Sequence, residues 1–212
     1  MKGVVIGAHL RRDDVEPLAE AWPARDLFLS AVTVADDQPL GDRDLLLRIA
    51  AIRAQLLERA TFIAIRYGFS AASAAEAESK CATHLEAWRV LLEKHRDHVE
   101  MTLKVVASSP RARPDRHDFA SGADYLRALH ESTRGASIDE GFRQAVEREL
   151  VPLTIEHRWL HRDGRSIEFA ALVAREKLND VHAAGETLKQ TNVPFLMSGP
   201  WPLEVFADAD RE

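Results

Sequence analysis

From Asp42 to Arg59, apolar residues return at Leu45, Ile49, Ile52 and Leu56. Steps of four, three and four residues collect them on one face of a helix, with Arg48 and Arg53 flanking the stripe. From His98 to Val106 the pattern changes to strict alternation. Val99, Met101, Leu103 and Val105 point one way and Glu100, Thr102 and Lys104 the other, as in a strand with one buried face. The same test reads "GVVIGA" (Gly3 to Ala8) and "LFLSAVTVA" (Leu27 to Ala35) as strands. Between them, "DDVEPLAEAW" suggests a brief helix capped by Asp13 or Asp14. "TFIAIRYG" (Thr61 to Gly68) is apolar on both faces until Arg66, as a central strand is.

Ser73 and Glu76 have capping-box spacing, and a long helix is expected from there to about Arg96. Cys81, Leu85, Trp88 and Leu92 form its apolar stripe. Residues Ala107 to Ala120 break the pattern with Pro110 and Pro114 among Arg111, Arg113 and Arg116. This is the linker candidate. Two helices follow, one near Ser121 carrying Tyr125, Leu126 and Leu129, and one opened by the capping-box spacing of Ser137 and Glu140. A β-hairpin comes next, with Asp163-Gly164 at its tip. A helix with Leu178, Val181 and Leu188 inward precedes a closing strand, a rigid corner and a second short strand.

The first half resembles a split βαββαβ, ferredoxin-like arrangement with an extra helix between the second and third strands. Each half can bury a sheet face under helices, so the fold class is α+β in two units. The expected division is a ferredoxin-like domain over 1–108, a basic linker over 109–120, and a C-terminal α+β domain with a hairpin and packed helices over 121–212.

Composition narrows the function. The 212 residues carry a net charge of -6, which argues against a nucleic-acid partner. One cysteine, Cys81, excludes an internal disulfide and any multi-cysteine metal site. No apolar run reaches membrane-span length, and a soluble, cytoplasmic protein is expected. His95 and His98 form an H-x-x-H where a helix is ending, and His157 and His161 lie four apart on a strand with Trp159 between them. A solvated helix terminus and a polar-aromatic sheet face account for these better than metal ligation. Nucleophile-elbow and phosphate-loop motifs are missing, so no catalytic residue is nominated.

"SGPWPLEVF" (Ser198 to Phe206) is unusual so near a chain end. Pro200 and Pro202 fix their own φ and bias Gly199 and Trp201 toward extended backbone. The result is a preset elbow carrying one indole. Trp201 then either folds back as a seal or anchors a partner.

This stretch also resembles the "TGPWPPY.F" signature of the gas vesicle accessory proteins F and L, the GvpL/GvpF family. Three other segments agree in order: "FIAIRYGFSA" (Phe62 to Ala71), "VEMTLKV" (Val99 to Val105) and "SGADYL" (Ser121 to Leu126). The chain departs from the family at Ala64, where a proline is usual, and at Leu203-Glu204, where the usual aromatic is missing. The resemblance implies an N-terminal modified ferredoxin-like domain and a C-terminal α+β domain. It implies no enzyme activity, cofactor or metal. It implies a vesicle-associated accessory or minor structural protein needed for assembly, which binds the small hydrophobic shell-forming protein and other accessory proteins. The positions it marks are Arg66, Tyr67, Gly68, Glu100, Lys104, Gly199, Pro200, Trp201 and Pro202. Two other readings stand beside it: a family-derived regulatory binding module, and a small-ligand enzyme on a ferredoxin-like sheet.

Overall fold

The structure is a computed structural model and describes residues 1–106, 115–133, 138–162 and 166–207. The chain divides into two compact units, residues 1–99 with 200–212, and residues 100–199. The first boundary therefore falls inside the strand expected to end the first domain, some residues before the Pro/Arg stretch. The second returns the C-terminal tail to the first unit. Most of that stretch, including Pro110, Arg111, Arg113 and Pro114, lies outside the described residues, as do Ser137 and the Asp163-Gly164 tip.

In the first unit, β1 (Lys2–His9) is buried from Gly3 to His9 because it lies inside the sheet. It pairs antiparallel with β3 (Leu27–Val34), Val4 opposite Val32 and Gly7 opposite Ser30. β3 pairs with β2 (Glu20–Ala24) through a two-residue turn in which Arg25 has φ +51°. The expected helix over "DDVEPLAEAW" shrinks to a 3-10 turn at Arg12–Asp14, and its last residues become β2. β2 tolerates Pro23 because it is an edge strand and needs fewer ladder donors.

α1 (Arg43–Arg59) matches the periodicity. Asp42 caps it by accepting from the Leu45 N–H at 2.9 Å, and Leu45, Ile49 and Leu56 are buried. The expected central strand after it is interrupted. β4 (Ile63–Ala64) and β5 (Ser70–Ala71) both pair with β1, separated by a turn. The long helix is also two: α2 (Ala74–Cys81) and α3 (Leu85–Lys94). The break spans Ala82 to His84, including Thr83 and His84, both poor helix formers. The capping box is present in modified form. Ser73 Oγ accepts from the Glu76 N–H, while Glu76 accepts from the Ala72 N–H rather than from that of Ser73.

β6 (His98–Val106) opens the second unit's four-stranded sheet, ordered β7-β8-β6-β9. β7 (Glu156–Arg162) and β8 (Ser166–Ala174) form the expected antiparallel hairpin, with Trp159 opposite Phe169. α4 (Gly122–Thr133) starts where Ser121 Oγ accepts from the Asp124 N–H. α5 (Glu140–Leu150) is capped by Asp139, which accepts from the Phe142 N–H at 2.8 Å. The carboxylate next to the helix therefore does what was expected of Ser137. α6 (Leu178–Leu188) buries Val181 and Leu188 as its pattern foretold. The apolar core gathers Met101, Leu103, Phe142, Val146, Phe169 and Val173. β9 (Phe195–Trp201) closes the sheet. α6 approaches it so closely that a Cβ on Gly185 would lie 2.6 Å from Met197 Sδ.

Candidate functional site

The C-terminal elbow is fixed at both ends. At its start, Gly199 has φ +127°, a conformation side chains rarely adopt. A Cβ there would also lie 2.6 Å from Met101 Sδ and 2.9 Å from the Glu100 carbonyl oxygen. The preceding residue is tied as well, since the Ser198 and Thr102 hydroxyls are 2.8 Å apart. At the far end, the Leu203 N–H donates to Phe62 O at 2.9 Å and Leu203 O accepts from the Ala64 N–H at 3.1 Å. These bonds make a parallel bridge between Leu203 and Ile63. Leu203 and Phe206 are fully enclosed at 0% and 3% exposure.

Trp201 lies between these anchors and is 47% exposed. The seal reading therefore passes from Trp201 to Leu203 and Phe206. Strict alternation would put Trp201 on the same face as Leu203, but β9 ends at Trp201 and Pro202 follows, so the two need not share a face. The other three tryptophans are engaged. Trp22 donates to Glu20 and lies against Gly3, Trp88 stacks on His84, and Trp159 donates to Glu147. Among the described residues, Trp201 has neither a ring contact nor a side-chain hydrogen bond.

The "RYG" positions build the turn between β4 and β5. The Phe69 N–H donates to Arg66 O at 3.3 Å, and Gly68 takes φ +95° at the position where a type II turn calls for glycine. The Tyr67 hydroxyl donates to Leu40 O, and Arg66 is exposed. Close by in the same unit, Arg53 donates to Ile65 O. Burial lowers the Arg53 pKa and the Glu204 carboxylate opposes that shift. The two residues that replace the usual aromatic thus have work here: Leu203 fills the core and Glu204 faces a half-buried cation. On β6, Lys104 is exposed but Glu100 is 1% exposed, against the outward face expected of it. Alternation assigns one face to solvent only where nothing covers it, and at Glu100 that face is covered.

His95 is 2% exposed rather than solvated as expected, and His95, His98 and His157 act in packing. His95 and His98 meet edge to face at 5.6 Å. His157 stacks on Phe169 at 5.4 Å, beside Trp159. Among the described residues, no group of three His, Cys, Asp or Glu side chains is placed to hold a metal ion. Cys81 is buried, and desolvation raises its thiol pKa, which suppresses the thiolate. One residue that pattern reading passed over is His9. It is completely buried, its Nε2 lies 3.0 Å from Ser30 Oγ, and its ring stacks on Phe62 at 4.9 Å. Burial lowers its pKa from 6.5 to about 3, so it is neutral at physiological pH. An apolar pocket in the second unit, lined by Met101, Leu150, Phe169 and Met197, has a free volume of about 10 Å³. That is room for about one water, not for a substrate.

The family model for the gas vesicle synthesis protein GvpL/GvpF matches residues 18–207, which includes the turn, β6 and the elbow. The chain belongs to the GvpL/GvpF family. Two solved GvpF structures share the fold. The crystal structure of GvpF from Anabaena sp. PCC7120 superposes with a TM-score of 0.69 at 14% identity, covering 98% of this chain and 96% of that one. GvpF from Microcystis aeruginosa gives a TM-score of 0.70 at 11% identity, covering 97% and 98%. Comparison with curated proteins gives no match. As in the sequence reading, this GvpL/GvpF chain is α+β, and no helix among its described residues is long and apolar enough to cross a membrane.

Proposed function

We propose that this protein is an accessory or minor structural component of gas vesicle assembly that binds the small hydrophobic shell-forming subunit. The family supports the vesicle setting. The observation that carries the binding role is Trp201: an exposed indole between two anchored ends, with every other tryptophan engaged. A rigid aromatic loses little conformational entropy on contact, which suits it as an anchor for an apolar partner. A shell subunit that polymerises through apolar surface aggregates if left bare, and an acidic escort keeps it dispersed until delivery. Other accessory proteins of the vesicle are partners of the same kind. Arg66, on the turn in the same unit, offers an exposed cation to the partner. Gly199, Pro200, Pro202 and Gly68 set backbone shape, and Tyr67 ties the turn down. Glu100 supports the elbow from β6, and Lys104 is a second exposed contact. The role is non-enzymatic, and the setting is cytoplasmic.

The test is capture of the purified shell subunit by the wild-type chain and by Trp201→Ala, with circular dichroism on both. Capture by the wild type and loss in a folded Trp201→Ala chain supports the reading. Failure of the wild type to capture the subunit removes it and favours a binding module with a different partner.

A further inference from the structure

α1 has a second apolar face. Leu45, Ile49 and Leu56 are buried, yet Leu46, Leu47, Ala50, Ala51 and Ala54 are all exposed on the side away from the sheet. Leu46 and Leu47 are 39% and 59% exposed. Arg43 stands at one end of this stripe and Glu58 at the other, both exposed. They are too far apart to pair within one helix, about 22 Å along the axis at 1.5 Å per residue. Among the described residues, neither enters an ion pair. Several helix charges elsewhere do: Arg89 pairs with Glu86 and Glu93, Arg143 with Glu147, and Lys80 with Glu76.

The order of these residues is self-complementary. Turn a second copy of α1 antiparallel about an axis between Ala50 and Ala51. Arg43 then meets Glu58, Leu47 meets Ala54, and Ala50 meets Ala51, each pair occurring twice. Large side chains face small ones, and small residues at the centre let the helices approach closely. Both unpaired charges acquire opposite partners at once. A two-fold contact has this property by definition, because one patch must complement itself.

We propose that the outer face of α1 is a self-association site, joining two copies of this chain through an antiparallel α1–α1 contact. The surface is small, so the dimer is weak in dilute solution and forms where copies are concentrated. This is independent of the Trp201 reading and uses a different surface of the molecule.

Sedimentation analysis of the full chain over a range of concentrations tests it. A monomer–dimer equilibrium is expected between about 10 and 500 µM, as befits a contact below standard interface size. Arg43→Glu or Glu58→Arg alone should weaken it by about tenfold or more, and the double exchange should restore it. In parallel, Ala50→Cys should form an inter-chain disulfide under mild oxidation, because the two-fold axis brings the two Cα atoms within the disulfide range of about 4.4–6.8 Å. Arg48→Cys, on another side of the helix, should not. The buried Cys81 stays out of this reaction. A chain that remains monomeric to about 500 µM, a double exchange that fails to rescue, or equal cross-linking by Ala50→Cys and Arg48→Cys would each overturn the proposal.

Discussion

Trp159 and Trp201 lie on the two outer strands of one four-stranded sheet, and they have opposite surroundings. Trp159 sits edge to face on Phe169 at 5.0 Å, donates to Glu147 at 3.2 Å, and lies under the Arg143 guanidinium at 5.6 Å. Trp201 has 47% of its surface exposed and no such partner among the described residues. The strand next to each decides the outcome. β8 supplies a phenyl ring opposite Trp159, whereas the backbone around Trp201 is held by Gly199 and Leu203, on either side of it, and its ring is left outside. An edge-strand tryptophan is thus structural where its neighbours reach it and displayed where only its backbone is anchored.

Four changes sharpen that contrast. The largest effect is expected at the anchors. Leu203→Ala should cost about 3 kcal/mol, as a fully buried leucine does when a cavity replaces it. Gly199→Ala should cost about as much, because strain at φ +127° adds to the clash with Met101 and the Glu100 carbonyl. Urea midpoints measure both, and a cost under about 1 kcal/mol for either would show that the elbow is not anchored there. Trp159→Ala comes next at about 2–3 kcal/mol, from lost aromatic burial and a lost hydrogen bond to Glu147. Trp201→Ala should cost less, on the order of 1 kcal/mol, because about half of the residue is already exposed. Equal losses at the two tryptophans would erase the distinction.

A further prediction concerns the buried His9. His9 has its folded pKa depressed from 6.5 to about 3, so the unfolded chain binds the proton more readily. Its contribution is complete above about pH 6.5 and falls by roughly 1.4 kcal/mol for each pH unit below that, until the folded pKa is reached. Denaturation of wild type and His9→Asn between pH 7.5 and pH 5 measures it. The wild type should show the steeper loss, and parallel curves would contradict the assignment.

Much of this was legible in the sequence because local rules and tertiary packing agree. α1 has its cap at Asp42 and a regular stripe, and the hairpin has period-two strands. β2 was hidden because the residues before Pro23 look helical and Pro23 itself argues against a strand, and only an edge position makes that proline acceptable. β5 is two residues long and exists through its pairing with β1, which no local pattern encodes. At the site, the elbow was visible from Gly199, Pro200 and Pro202. Which side chain it buries was not. Leu203 wins the interior because its backbone is bonded to Phe62 and Ala64, residues some 140 positions away in the chain. The burial of Glu100 was missed because no local pattern shows that its face of β6 is covered.

The most direct test of the displayed indole is acrylamide quenching of tryptophan fluorescence, with and without the shell subunit. Wild type and Trp201→Phe should differ by one readily quenched component in the free chain. Adding the subunit should protect that component and leave the Trp201→Phe signal unchanged. If the free chain has no such component, or if it stays fully quenchable in the complex, Trp201 is not the contact and the account of the elbow fails.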